Sequence, residues 1–202
     1  MSFIVIKNSS NGDLATVDNK GRLHTTADTQ SALNAAIIDG RYFGVNTDFI
    51  TLTSPNQSAL LYIRNDSETN FFLKTFRLAT GKATGGTGVV KLFLQVNPTT
   101  GTLITDAVVA GVLNLDLSSQ KTFVGEAFKG GEGKTATDAL GGNNFIIPTD
   151  EFVYDHDIEA VIPKGFAAAF HVTPPAGNSS FEVQILVTGY YIDTKALNVE
   201  KS

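Results

Sequence analysis

Near its C-terminus the chain alternates Phe181, Val183, Ile185 and Val187 with Glu182, Gln184, Leu186 and Thr188. Successive side chains of an extended strand point to opposite faces, so a run of this kind buries one face and wets the other. The same period of two recurs along most of the chain and constrains its fold more than any other feature, because period-two apolar residues cannot form one side of a helix. Just upstream, Phe166, Ala168, Phe170 and Val172 alternate with Ala167, Ala169, His171 and Thr173, a pattern that predicts an outward-facing His171. Pro174-Pro175-Ala176-Gly177-Asn178 separates the two runs, and together they read as an antiparallel hairpin.

Further β-rich segments lie around Tyr42 to Val45, Phe49 to Thr53, Ala59 to Arg64, Phe71 to Leu78, Val89 to Val96, Val108 to Leu115 and Phe145 to Ile147. Turn chemistry punctuates them. Ser54-Pro55-Asn56 and Asn65-Asp66-Ser67 combine a fixed proline φ with short polar side chains that bond nearby backbone, and Asn97-Pro98-Thr99-Thr100-Gly101 ends on a glycine free to take positive φ. Asp18-Asn19-Lys20-Gly21, between Leu14 to Val17 and Arg22 to Thr25, predicts a small hairpin. The one helix expected runs from about Thr29 to Ile38, with Asp28 or Thr29 as cap and Gly40 past its end. Residues 125–144 hold six glycines and one aromatic, and read as a long loop.

Many short strands of one dominant period predict an all-β fold, a jelly-roll-like antiparallel β-sandwich over residues 37–193. Residues 1–36 form an N-terminal arm with its small hairpin, and residues 194–202 a C-terminal tail. The apolar run Phe3, Ile4, Val5 and Ile6, followed by Asn8-Ser9-Ser10-Asn11-Gly12, suits a strand added to a neighbour's sheet edge.

Composition narrows the function. The chain has no cysteine, which excludes disulfides, thiolate metal sites and cysteine nucleophiles and suits synthesis in a reducing cytoplasm. A net charge of -5 with no Lys/Arg cluster argues against a nucleic-acid partner. Met1 to Lys7 lacks the basic start of a signal peptide, and no run approaches the ~20 apolar residues of a membrane helix, so no membrane partner is expected. The sequons at Asn8, Asn56, Asn65 and Asn178 then read as turn residues.

Chemistry-bearing side chains are few. Gly133-Lys134-Thr135 resembles the end of a phosphate-binding loop, but Phe128 stands where its first glycine belongs and Gly141-Gly142 arrives too soon for the following helix. Asp155, His156, Asp157 and Glu159 form the densest acidic cluster; on a strand, Asp155, Asp157 and Glu159 would share one face and offer hard oxygen ligands to a cation, though the spacing is not that of a calcium loop. His24, His156 and His171 lie far apart, without a Gly-x-Ser-x-Gly elbow or His-Glu-x-x-His motif, leaving only a triad assembled in space. Tyr62, Tyr190 and Tyr191 could stack on sugars, although packing in the core or between subunits explains them more simply. No catalytic, cofactor-binding or metal residue is assigned on these grounds, and the chain is expected not to be an enzyme.

Two groups of segments carry a family likeness. Ala15 to His24 (ATVDNKGRLH), Ala35-Ala36, Phe49 to Thr53 (FITLT) and Ala59 to Asn65 (ALLYIRN) form the first; Val96 to Leu103 (VNPTTGTL), Val161 to Gly165 (VIPKG) and Gly189 to Ile192 (GYYI) form the second. Over most of its length the chain resembles virion structural proteins of tailed bacteriophages, β-sandwich or jelly-roll components that decorate the head or form part of the tail. The resemblance implies a virion location after synthesis in the host cytoplasm, a homotrimer, contacts with other virion proteins such as the major capsid protein, and no catalytic residues or cofactor. Exposed apolar residues such as Leu186, with the C-terminal tyrosines, are expected to supply the subunit contact. The readings competing with capsid decoration are a carbohydrate-binding jelly roll for host attachment and a hydrolase with a spatially assembled site.

Overall fold

The computed structural model describes residues 16–17, 23–24, 32–87, 89–147 and 153–192. The chain divides into two units, residues 1–31 and residues 32–202. In the first, β1 (Thr16–Val17) pairs antiparallel with β2 (Leu23–His24), the small hairpin read from the sequence. The apolar run Phe3 to Ile6 and the tail at 194–202 lie outside the described residues.

The second unit opens with α1 (Ala32–Ile38), which ends as its sequence requires. Gly40 takes a φ of +62°, its N–H bonds the Ile37 carbonyl, and the Arg41 N–H bonds the Ala36 carbonyl. A left-handed glycine with this pair of bonds closes the orphan carbonyls of a helix end. There follow β3 (Tyr42–Asn46), β4 (Ile50–Leu52), β5 (Ser58–Asn65), β6 (Asn70–Thr87), β7 (Val90–Val96) and a single turn of helix, α2 (Thr102–Thr105). The remaining strands are β8 (Val108–Val109), β9 (Gly111–Asn114), β10 (Gly125–Lys129), β11 (Gly141–Ile147), β12 (Val153–Ile162), β13 (Ala167–Thr173) and β14 (Ala176–Ile192).

These strands form an all-β antiparallel sandwich of jelly-roll-like type. One sheet has the order β11-β7-β13-β5-β10-β8; the other has β12-β6-β14-β3-β9, with β4 also paired to β14. Consecutive strands repeatedly fall in opposite sheets: β5 and β6, β6 and β7, β8 and β9, β12 and β13, β13 and β14. The hairpin expected of the last two runs is therefore not formed. β13 pairs with β5 and β7, whereas β14 pairs with β6, β3 and β4. Pro174 and Pro175 have no N–H to continue a ladder, and the chain crosses there so that the apolar faces of Phe170 and Val172 and of Phe181, Val183 and Ile185 join one core.

Two further expectations about β13 are corrected. Phe166 is 40% exposed, because it belongs to the turn closed by its own N–H on the Pro163 carbonyl and the strand starts one residue later. Residues 167–172 are buried on both faces, so His171 is not solvent-facing. The outer side of this sheet is covered locally by α2 and residues 130–137, which bury Ala59, Tyr62, Leu103, Ala136 and Ala169 in a second small core.

Residues 130–137 of that cover fall within the segment expected to be one long loop. Its first residues are strand β10, which presents only Ala127 to the main core and therefore has almost no apolar alternation to read. The remainder is anchored. The Glu132 carboxylate accepts the Thr53 N–H and hydroxyl, each at 2.8 Å, and the Ser54 N–H. Gly101, at φ +119°, approaches so closely that a Cβ there would lie 2.4 Å from the Thr135 carbonyl oxygen.

Candidate functional site

Asp155, Asp157 and Glu159 do lie together on β12, at exposed alternating positions. Each faces a cation of the neighbouring strand. Arg77 donates from Nε and Nη2 to the two oxygens of Asp155, at 2.7 and 3.0 Å, and Lys74 Nζ lies 2.9 Å from Glu159 Oε1 and 3.8 Å from Asp157 Oδ1. The Arg77 hydrogen bond lowers the Asp155 pKa, and the Glu159 hydrogen bond raises that of Lys74. Asp155 and Glu159 are thus engaged by side-chain donors, and no group of three potential metal ligands comes together among the described residues.

His156 and His171 lie in different sheets with different neighbours. His156 packs its ring at the core margin against Phe76, Phe145 and Tyr154, at centroid distances of 5.6, 5.2 and 6.0 Å. His171, buried on β13, donates from Nε2 to Gln95 Oε1 at 2.8 Å and lies against Phe93; burial lowers its pKa to about 4 and keeps the ring neutral. Neither ring pairs with a carboxylate among the described residues. His24 stands in β2, and its side chain lies outside the described residues.

The Gly133-Lys134-Thr135 segment has no free amide cradle. The Gly133 N–H bonds Ser58 Oγ at 3.0 Å, the Lys134 N–H bonds the Gly131 carbonyl at 3.2 Å and the Thr135 N–H bonds Thr102 Oγ1 at 3.0 Å, while Lys134 Nζ is paired with Asp106. The tyrosines are committed as well. Tyr62 stacks on Phe128 under the α2 cover, Tyr190 is only 7% exposed, and Tyr191 sits among Phe43, Phe71 and Phe123 with its hydroxyl donating to the Val124 carbonyl at 2.7 Å and accepting the Val124 N–H at 2.9 Å. No exposed platform for a sugar results from them, and they form no subunit patch. Asn65, one of the sequon residues, is likewise buried: its Nδ2 donates to the carbonyls of Thr69 and Ile162, both at 2.9 Å, and its Oδ1 accepts the Ser67 N–H at 2.9 Å.

What remains open is the pair of sandwich edges. On one side, β8 and β9 each pair with one strand among the described residues, and the chain passes between the two sheets at Ala110. Neither strand carries a charge. Val108, Val109 and Leu113 are exposed there, as are Leu115, Leu117 and Val124 in the segment that follows. Leu117 is 82% exposed on a turn held by side-chain hydrogen bonds: Asp116 Oδ1 accepts the Ser118 N–H and hydroxyl, Asn114 Oδ1 accepts the Asp116 N–H, and Asn114 Nδ2 donates to the Gly40 and Lys121 carbonyls. The apolar strip continues on the outer face of the sheet, where the side chains of Leu115 and Leu186 meet above Gly44. The sequence marked Leu186 as an exposed apolar residue and Val108 to Leu115 as β-rich, but not that this segment forms an exposed edge, because β8 and β9 are too short to show a period.

The opposite side is closed by β11 and β12, which also have one neighbour each among the described residues. Leu140, Ile146, Val153, Val161 and Phe166 are exposed there. Between the sheets at this edge lies a cavity of about 270 Å3 lined only by apolar residues, among them Leu94, Val96, Val161, Ile162, Pro163 and Phe166. At the β8–β9 edge the corresponding opening, about 300 Å3, is more polar, with Asn114, Lys121 and Thr122 beside Phe43 and Val109. No protein-family model and no curated protein matches this chain.

Proposed function

We propose that this chain is a non-enzymatic structural protein of a tailed-phage virion, one that decorates or stabilises the capsid by symmetric self-assembly. The observation that supports this reading is the uncharged, apolar β8–β9 edge, together with the apolar residues Leu140, Ile146, Val153, Val161 and Phe166 exposed on the opposite side. A monomer that functions alone in water has reason to cover such edges with charge, bulges or loops. An assembling subunit leaves them free for neighbours. The sequence resemblance points to the same class, with the major capsid protein as the second partner, and the apolar run at residues 3–6 supplies an arm that adds a strand to a neighbour's sheet edge.

Immunoelectron microscopy on virions of the phage that encodes the chain tests the proposal: regular labelling of the capsid is expected, and particles without label overturn it. Deleting residues 1–12 is expected to leave the thermal midpoint of the domain unchanged and to weaken its attachment to particles, measured by co-sedimentation. Equal attachment of the shortened chain would remove the arm from the proposal.

A further inference from the structure

The two edges differ in shape in a way that bears on how copies meet. One presents a knob: Leu117, nearly fully exposed at the apex of a turn whose polar groups hold each other in place. The other presents a hole, the apolar cavity of about 270 Å3 rimmed by Val96, Val161 and Phe166, with room for a leucine side chain. Resting on the assembly reading above, we infer that Leu117 of one copy enters this cavity of the next, so that copies of the chain join head to tail.

The exposed apolar strips supply about three quarters of the surface such a contact uses. The exposed parts of Val108, Val109, Leu113, Leu115, Leu117 and Val124 amount to about 600 Å2, and those of the apolar residues on the opposite edge to about as much, against the ~800 Å2 per partner that a stable interface uses. The strips lie on opposite edges of the same two sheets. A two-fold contact through either strip would leave the other in water. A head-to-tail contact covers both in every copy and closes when the rotation between copies completes a ring.

The chain has no cysteine, so single cysteines report the contact without background. Mixed under mild oxidation, a Leu117→Cys chain and a Val161→Cys chain are expected to form a disulfide-linked pair, while neither cross-links with itself. Leu117→Asp and Val161→Asp are each expected to weaken self-association about 30-fold or more in sedimentation, the size of a hot-spot loss. Because both positions are exposed, the circular dichroism of the variants should match that of the parent. Mixed together, the two Asp variants should form a one-to-one pair and stop there, since each retains one intact face.

Self-linking of the Leu117→Cys chain would make the contact two-fold and overturn the inference. Linking of Val161→Cys to a cysteine at position 4 (Ile4→Cys) would instead place the chain's own N-terminal segment in the cavity, which also overturns it. An oligomer that both Asp variants leave intact refutes this contact while the assembly reading stands. A parent chain that sediments as a monomer at high micromolar concentration refutes the assembly reading itself.

Discussion

The two edges of the β14-centred sheet solve the same problem differently. Strand β12 exposes Asp155, Asp157 and Glu159, pairs them with Arg77 and Lys74 on the next strand, and breaks its register by a bulge between Asp157 and Ala160, where Glu159 takes a φ of +51°. Charge and a bulge make an edge a poor template for another strand. Strand β9 has neither. Its Leu113 faces water, and its neighbours along the chain are Val109 and Leu117. Protection of one edge beside exposure of the other shows that the bare edge is not a general property of this sandwich, which is why it is the place to look for a partner.

Each side also has a buried polar clamp, and the clamp at Asn65 sets the largest expected effect. Asn65 ties the turn after β5 to the Ile162 carbonyl at the end of β12. Asn65→Ala would orphan two carbonyls and an N–H at that corner and is expected to cost about 3 kcal/mol in urea unfolding. Its effect on self-association should follow the loss of folded protein; weaker assembly at full folding would tie this corner directly to the contact.

His171 lies in the other sheet, away from both edges, and serves as a reference for pure stability. Its folded pKa of about 4 is below the ordinary 6.5, so the unfolded chain binds the proton more readily. Its contribution is complete above pH 6.5 and is lost as pH falls toward 4, by about 2 kcal/mol between pH 7 and pH 5. Denaturant titrations at the two pH values check this. His171→Gln should flatten that window, and an unchanged slope in the variant would assign the pH dependence elsewhere.

Tyr191 is the clamp on the β8–β9 side, holding Val124 by two hydrogen bonds. Tyr191→Phe is expected to cost roughly 1–2 kcal/mol and to loosen the segment that carries Leu117 and Val124, seen as faster amide exchange there than around β12. The smallest effect on stability belongs to the exposed ion pair. Arg77→Ala should change unfolding by roughly 0.5 kcal/mol or less, since such pairs are screened by water. Replacing Asp155, Asp157 and Glu159 together by valine, in contrast, should make β12 resemble β9 and promote aggregation, read by light scattering. A triple variant as soluble as the parent would show that the bulge alone protects this edge.

Much of the strand content was legible locally. The alternation of Phe181 to Val187, the turn at Asn65 to Ser67 and the glycine that ends α1 each follow from the dihedral and burial preferences of a few adjacent residues. At the β8–β9 edge the strand content of Val108 to Leu115 was legible but its exposure was not, because β8 and β9 span only two and four residues and display no period.

The amino-acid sequence by itself determined that this chain makes strands, which side of most of them is apolar, and where several turns fall. Tertiary structure alone decided that β13 and β14 lie in opposite sheets, that a cover buries the outer face around Tyr62, and that the acids of β12 meet Arg77 and Lys74. The physical reason is range. Alternation is a property of one strand, whereas an apolar face is equally satisfied by a hairpin neighbour or by a strand across the core, and only the assembly of all strands around one core selects between them.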